Sequence, residues 1–326
     1  MGVSGQGSES ALIASAHATG ADRMLPASAR RAPAADPRRL GVAAALVGVF
    51  AGTVSAMGSW IPSLWGDEAA SVLSALRPGE SLLTMLTHVD AVHGAYYLGL
   101  HAWVHLFGSS PFVIRLPSAF AIAVCAAAVT WLCGRFESLG FAVLAGTLTA
   151  ILPRLTYAGE EARGYAFAAA LAAGLWIVVV ELLRRPARSR RWWVLYAVVL
   201  ALGIYVFLYL ALLTLAVGLA LALDEQGRSQ LKRWLIASAG AALAACPVVV
   251  LALSQRQQIA FLAHRDVVTP NSILVKMWFS AWPFAAVAWS LIALAIVMWV
   301  RRRLRQRRQG ERSGLDLETV ALAWLV

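Results

Sequence analysis

The chain has 326 residues, of which 60% are hydrophobic and only 14% are charged. Soluble domains carry about 25% charged residues, so this composition excludes an ordinary soluble enzyme. The net charge of +11 does not indicate a nucleic-acid-binding protein, because the basic residues lie in short segments between apolar blocks, as they do in membrane proteins.

Residues 1–39 are rich in Ala, Ser, Pro and Arg and lack apolar periodicity, which predicts a disordered cytoplasmic arm. Residues 40–326 are predicted to form one transmembrane domain, because their apolar blocks have the length of about 20 residues that a spanning helix needs. We therefore expect an all-α polytopic protein of eight or nine spans. Short interfacial helices are expected in its first extracytoplasmic loop, at 61–110.

The predicted spans follow one another with short connections. They cover residues 41–60, 112–134, 139–157, 163–183, 192–223 (two short spans that turn between Tyr205 and Tyr209), 232–253 and 278–300, and a last apolar segment begins near Val320. The segment from Leu315 to Val326 is too short to cross a membrane, so the natural chain is expected to continue beyond it.

The distribution of basic residues predicts the orientation. In this topology, three quarters of the 28 Lys and Arg residues lie on the side of the N-terminus. Because cytoplasmic loops carry the excess of Lys and Arg, the N-terminus is predicted to be cytoplasmic in a multi-pass plasma-membrane protein.

Polar residues concentrate in two segments that this topology places on the extracytoplasmic face. The first loop carries Trp65-Gly66-Asp67-Glu68 and then a stretch from His88 to Tyr97, and the second segment runs from Tyr157 to Tyr165. Carboxylate, imidazole, phenol and guanidinium groups on one membrane face are the side-chain groups that form catalytic or binding sites. The span interiors hold almost no ionisable residues, unlike those of ion-coupled transporters.

In their order and spacing, these motifs resemble those of the GT-C glycosyltransferases. The resemblance is greatest to glycosyltransferase family 39, with its protein O-mannosyltransferase and aminoarabinose–lipid A transferase relatives. It covers about 100 residues, and the matching motifs are Asp67-Glu68, Asp90 to Tyr97, Phe107-Gly108, Arg115 to Ser118 and Glu161 to Tyr165.

The chain departs from the family pattern at three places. The usual His-Pro-Pro stands here as His93-Gly94-Ala95, so a different loop shape is expected there. The turn near Tyr205 to Tyr209 lacks the Thr-His-Tyr type of sequence. The C-terminal third of the family is missing, which agrees with a C-terminally truncated chain.

The resemblance implies transfer of a sugar, with mannose as the first expectation, from a polyprenyl-phosphate donor to an extracytoplasmic glycan, lipid or protein. Asp67 is the expected general base, since a carboxylate can accept the proton of the attacking hydroxyl. Arg163 is expected to stabilise the leaving phosphate. Direct displacement implies inversion at the sugar carbon. The other expected substrate-binding or donor-binding residues are Glu68, Asp90, His93, Tyr97, Glu161 and Tyr165.

Simpler roles compete with these assignments. Asp67 could cap a short helix, Glu68 could be a solvated neighbour, and Arg163 could pair with Glu160 or Glu161. Arg115 could anchor its helix at the interface. The tyrosines Tyr96, Tyr97 and Tyr165 could be packing or interfacial residues.

No metal ligand is assigned, although a divalent ion remains an open cofactor. His101 and His105 have the i, i+4 spacing of a ligand pair, but they lie in an amphipathic run without an intervening Glu. Cys125, Cys133 and Cys246 match no metal-site or disulfide spacing. Two alternatives to the enzyme stay open: a transporter or flippase of lipid-linked sugars, and a non-catalytic scaffold in which Asp67 and Arg163 lie far apart.

Overall fold

The computed structural model describes residues 36–184, 189–258, 260, 269–277, 279 and 281–308. Within these residues every regular element is a helix. The predicted arm at 1–39 lies almost entirely outside the described residues, as does the apolar segment that begins near Val320.

Thirteen α-helices make up the described fold. In chain order they are α1 (Pro37–Ala56), α2 (Gly66–Ala75), α3 (Gly79–His88), α4 (Gly94–Phe107), α5 (Pro111–Gly134), α6 (Leu139–Ile151), α7 (Pro153–Glu160), α8 (Tyr165–Arg184), α9 (Ser189–Val206), α10 (Leu213–Leu223), α11 (Glu225–Arg228), α12 (Leu231–Ser254) and α13 (Trp282–Arg308). Short 3-10 turns at Ala91–His93 and Leu208–Leu212 and a π-turn at Ser272–Lys276 connect some of them.

The helices confirm an all-α polytopic membrane protein. Five of the described helices, α1, α5, α8, α12 and α13, are long and apolar enough to cross a membrane, and the bent pair α6–α7 makes up to six. This count among the described residues is lower than the eight or nine spans that the sequence predicts. The predicted loop at 61–110 contains three short helices, α2, α3 and α4, as expected.

Two predicted segments contain a break, which is predicted at 192–223 but not at 139–157. Residues 139–157 were predicted as one helix, but α6 and α7 meet at an angle of 56°. The cause is Pro153, which lacks a backbone N–H and disfavours helical geometry at the residue before it. Residues 192–223 break at Phe207, whose backbone is extended. Leu210 then lies back against Gly203, so the predicted turn between Tyr205 and Tyr209 is present.

The two ends of the bundle are distinguished by their arginines. At one end, Ser118 of α5 donates a hydrogen bond to the carbonyl of Arg163, just before α8. At the other end, Arg184 of α8 donates to the carbonyl of Arg135, after α5. We call these the Arg163 end and the Arg135 end. Helices α5 and α8 therefore run in the same direction.

Glycines allow α1, α5 and α6 to pack closely. A Cβ atom at Gly48 of α1 would lie 2.9 Å from the carbonyl oxygen of Ala123 in α5. A Cβ atom at Gly146 of α6 would overlap Thr130 Oγ1 and lie 2.9 Å from Val47 Cγ1. Small residues at helix crossings let membrane helices approach and gain van der Waals contact. These glycines are therefore packing residues.

The substitution Gly146→Ala is expected to lower the free energy of unfolding by about 1–3 kcal/mol, because the added methyl group overpacks the crossing. Gly140→Ala, in the same helix, is the matched control, since a Cβ atom there meets nothing within 4 Å. The control should be neutral or stabilising by up to about 1 kcal/mol. Thermal unfolding in detergent micelles measures both, and equal melting temperatures would contradict the close crossing.

Candidate functional site

The paired acidic residues lie in the first turn of α2 and point in different directions. The side chain of Asp67 is 53% exposed, whereas Glu68 is 1% exposed. Successive residues on a helix project about 100° apart, so one carboxylate faces solvent and the other enters the protein. The N-cap of α2 is Trp65, so the interpretation of Asp67 as the capping residue is wrong.

Glu68 forms a buried, two-pronged ion pair with Arg115 of α5. Arg115 Nε lies 2.8 Å from Glu68 Oε1, and Arg115 Nη2 lies 2.6 Å from Glu68 Oε2. The backbone N–H of Ala162 also donates to Glu68 Oε1 at 2.8 Å. Glu68 is thus not a solvent-exposed neighbour of Asp67. It is also not the contact for the sugar donor that was predicted, because its carboxylate oxygens are already bound by protein groups.

The same pair fixes the chain between α1 and α2. Arg115 Nη1 donates to the carbonyl oxygens of Ser59 at 2.5 Å and Pro62 at 2.9 Å. Burial alone would raise the pKa of Glu68, but the hydrogen bonds from Arg115 and Ala162 outweigh it and hold that pKa below its usual range. Arg115 therefore links α5 to α2 and to the residues before α2 inside the protein, and it does not anchor its helix at the membrane interface.

Arg163 is buried directly behind Asp67. Its Nη2 lies 3.5 Å from Asp67 Oδ2, and its Nη1 donates to the carbonyl oxygen of Asp67 at 3.3 Å and to Ser71 Oγ at 3.4 Å. The guanidinium also lies 5.6 Å from the ring centre of Tyr165. The ion pair of Arg163 is therefore with Asp67, and the proposed pairing with Glu160 or Glu161 is not the one observed.

A left-handed turn at Asp90 brings the second part of the first loop to the same place. Asp90 has φ 57° and ψ 26°, and its Oδ2 accepts a hydrogen bond from the Tyr97 hydroxyl at 3.3 Å. The rings of His93 and Tyr97 lie 5.8 Å apart. Burial and the positive charge of Arg163 lower the pKa of His93, while Asp90 and Asp67 act in the opposite direction. The imidazole therefore lies within electrostatic reach of both segments.

Two glutamines that sequence reasoning missed hold this turn. Gln255 follows α12, accepts a hydrogen bond from the N–H of Ala91 at 2.9 Å and donates to the carbonyl of Leu86 at 3.0 Å. Gln258 accepts from the N–H of Asp90 at 3.4 Å and donates to the carbonyl of His88 at 2.8 Å. Their partners are backbone atoms 164 to 170 residues away in the sequence, so no local sequence signal identifies them.

Glu161 is buried without a complete set of partners. Its Oε1 accepts no hydrogen bond from the described residues. Burial raises the pKa of Glu161, and repulsion from Glu68 raises it further. The hydrogen bond from Tyr157 and the positive charge of Arg163 act in the opposite direction. An isolated buried carboxylate is costly, so this group favours its protonated form more than a solvent-exposed glutamate does.

An apolar cavity of about 550 Å³ lies behind this cluster. It is lined by Ala95, Tyr96, Gly99, Leu100, Trp103, Leu116, Pro117, Phe120, Phe167 and Val206. Two of these, Tyr96 and Val206, are the nearest neighbours of Gly164, the residue after Arg163. The cavity therefore adjoins the Asp67–Arg163 pair and offers a hydrocarbon-like surface next to a charged one.

The side chains of His101 and His105 each lie within hydrogen-bond distance of a backbone carbonyl. His101 Nδ1 lies 2.8 Å from the carbonyl oxygen of Ala75, and His105 Nδ1 lies 2.7 Å from the carbonyl oxygen of His101. Among the described residues no group of three or more His, Cys, Asp or Glu side chains is placed to hold a metal ion.

The structure thus brings together Asp67, Asp90, His93, Arg163 and Tyr165. It places Glu68, Tyr97 and Glu161 in the protein interior beneath them, where Tyr97 packs in a hydrophobic cluster and donates to Asp90. Comparison with known proteins adds nothing to this geometry: no protein-family model, no curated protein and no solved structure matches the chain.

The substitution Arg115→Met is expected to destabilise the protein by about 3–5 kcal/mol, because it leaves Glu68 buried and unpaired. Arg77→Met is the control, since Arg77 is an exposed arginine of the same loop. Thermal unfolding in micelles should separate the two variants. A double variant, Glu68→Leu with Arg115→Met, should recover part of the loss, and no recovery would argue against a pairwise interaction.

Glu161→Gln is expected to stabilise the protein increasingly as the pH rises. The raised pKa of Glu161 means that its protonated form contributes stability below the unfolded pKa, and that this contribution is lost as the pH rises through the folded pKa. Glutamine imitates the protonated acid at every pH. The difference in melting temperature between variant and wild type should therefore be small near about pH 4 and grow toward about pH 7.5. A constant difference would contradict the raised pKa.

Proposed function

We propose that this protein is an inverting glycosyltransferase that moves a sugar from a polyprenyl-phosphate donor to an acceptor hydroxyl. The observation that carries the proposal is the Asp67–Arg163 pair, in which an exposed carboxylate lies 3.5 Å from a buried guanidinium. A group-transfer reaction of this kind needs a base for the acceptor and a cation for the departing phosphate, and these are adjacent here.

Asp67 is suited to the role of base. Its side chain is about half exposed, so an acceptor hydroxyl can reach it. It lies in the first turn of α2, next to Glu68, and Arg163 lies on its inner side. An ionised carboxylate accepts the hydroxyl proton as that oxygen attacks the anomeric carbon of the sugar.

Arg163 is suited to the role of phosphate partner. Its guanidinium is fixed by Ser71, by the carbonyl of Asp67 and by the ring of Tyr165. A guanidinium has five donors in a fixed geometry that matches phosphate oxygens. A preorganised cation in a partly buried site stabilises the charge that develops on a leaving phosphate. His93, Asp90 and Tyr165 then form the surrounding contacts to the sugar and the donor. Tyr97 is 1% exposed, so its role is to support Asp90 through the hydrogen bond from its hydroxyl.

The apolar cavity supports a lipid-linked donor. It adjoins Arg163 through Gly164 and is lined mainly by hydrophobic side chains such as Leu100, Trp103 and Phe120. A polyprenyl chain has only hydrocarbon surface to bury, so it suits such walls. We propose mannose as the sugar, an extracytoplasmic glycan, lipid or protein as the acceptor, and a plasma-membrane location with a cytoplasmic N-terminus.

The test is sugar transfer in membranes that express the chain, with radiolabelled polyprenyl-phosphomannose as the donor. Asp67→Asn should lower the rate by about 10²–10⁴-fold, the usual contribution of a general base. Glu80→Gln, which alters an exposed carboxylate in the first turn of α3, should leave the rate unchanged.

Each other outcome has a distinct meaning. Equal transfer by wild type and Asp67→Asn would remove Asp67 from the mechanism. Absence of transfer by wild type, followed by movement of the labelled lipid across the membrane, would overturn the transferase in favour of a transporter. A non-catalytic scaffold predicted that Asp67 and Arg163 lie far apart, and the observed ion pair does not support that alternative.

A further inference from the structure

A second concave surface lies at the Arg135 end of the bundle, between α9 and α12. It encloses about 430 Å³ and is lined by Arg190, Trp193, Val194, Ala197, Arg233, Ile236, Ala237 and Gly240. We call it the Arg190–Arg233 groove. Its residues are separate from those of the Asp67–Arg163 site, which lies at the other end of the same helices.

The groove follows from two parallel helices in matched register. Helix α9 ends beside Gly164, and α12 ends at Gln255, which binds the Asp90 turn, so both helices run from the Arg135 end to the Arg163 end. Helix α9 contributes Arg190 and the residues three, four and seven positions after it. Helix α12 contributes Arg233 and the residues at the same three spacings. This spacing places the side chains on one face of a helix, and the two faces form opposite walls.

The groove has a charged mouth and an apolar floor. Arg190 and Arg233 lie in the first turns of α9 and α12, where the unpaired N–H groups and dipoles of two helices add positive potential. Within the described part of the chain, no acidic residue lines the groove. Below the arginines, Val194 is 58% and Ile236 63% exposed. A Cβ atom at Gly240 would meet no atom of the described residues within 4 Å, so the deep end is open toward them.

The length of the groove fits one leaflet of a membrane. From Arg233 to Gly240 the helix rises by about 10 Å at 1.5 Å per residue. One leaflet contributes about half of a hydrocarbon core of 30 Å. Helix α12 is long and apolar enough to span a membrane, so its first turn lies near the level of the headgroups. An acyl chain in the groove would therefore lie at its natural depth.

We propose that the Arg190–Arg233 groove binds an anionic glycerophospholipid. The two guanidinium groups hold the phosphate of the headgroup, and one acyl chain lies along Val194, Ile236 and Gly240. Basic pockets between membrane helices are suited to anionic headgroups. The apolar floor favours a lipid over a soluble phosphate, because a soluble ion would leave that surface unfilled.

The experiment is native mass spectrometry of the purified protein, released from micelles that contain dioleoyl phosphatidylglycerol or dioleoyl phosphatidylcholine. Wild type should retain phosphatidylglycerol preferentially. The double variant Arg190→Gln with Arg233→Gln should lose about 30-fold in affinity for phosphatidylglycerol, because each basic residue contributes about 1 kcal/mol. The readout is lipid binding, so it does not depend on whether the protein transfers sugars.

Two further variants make the test specific. Arg191→Gln with Lys232→Gln removes the same charge from neighbouring exposed positions outside the groove, and it should keep the lipid preference. Gly240→Leu keeps both groove arginines but fills the deep end, and it should weaken binding. Unfolding temperatures in the same micelles identify any variant that fails to fold.

Three results would overturn the proposal. Equal loss in the two double variants would mean that binding follows surface charge in general. Unchanged binding by Gly240→Leu, if that variant folds as wild type does, would mean that no acyl chain occupies the groove. Equal retention of the two lipids by wild type would mean that the headgroup charge is not recognised.

Discussion

The buried ion pair between Glu68 and Arg115 is the interaction on which the arrangement of the Arg163 end depends. Arg115 belongs to a spanning helix, Glu68 to the first loop, and the N–H of Ala162 to the connection before α8. One carboxylate therefore joins three segments that are far apart in sequence. Two charges removed from water are stable only when fully paired, so the geometry around this pair is tightly constrained. The positions of Asp67 and Arg163 are constrained with it, because Asp67 precedes Glu68 and Arg163 follows Ala162 in the chain.

The neighbours of this pair show how adjacent residues divide structural and chemical roles. Glu68 points inward and fixes α2, and this leaves Asp67 exposed on the adjacent side of the same turn. The N–H of Ala162 binds Glu68, and the next residue, Arg163, extends to Asp67. Asp67 and Arg163, the groups that we propose to be reactive, are thus positioned by their immediate neighbours in the chain, which are buried and make the hydrogen bonds. Gln255 and Gln258 complete the arrangement by holding the Asp90 turn from the end of α12.

The same helices connect two surfaces for which we propose different partners. At the Arg163 end, an apolar cavity adjoins a charged pair that suits a phosphate and a sugar. At the Arg135 end, two arginines stand above an apolar groove that suits a lipid headgroup and its chain. Both combine a cation with hydrocarbon-like walls, as expected where a protein meets amphiphilic molecules in a membrane. They differ in their acidic residues: among the residues that the structure describes, a carboxylate accompanies the cation at the Arg163 end and none lines the Arg190–Arg233 groove.

The sequence by itself determined the helical, membrane-spanning character, the short helices of the first loop and the two polar segments that meet near Arg163, because hydropathy and helix periodicity are local properties of the chain. Pro153 is also a local signal for the bend between α6 and α7, and the prediction of a straight span at 139–157 did not take it into account. Only the tertiary structure decided which carboxylate of Asp67 and Glu68 is buried, which partner Arg163 takes, and which distant glutamines hold Asp90. Burial and pairing depend on groups from other segments, 47 residues away for Arg115 and about 165 for Gln255, and no local pattern encodes which of them will meet.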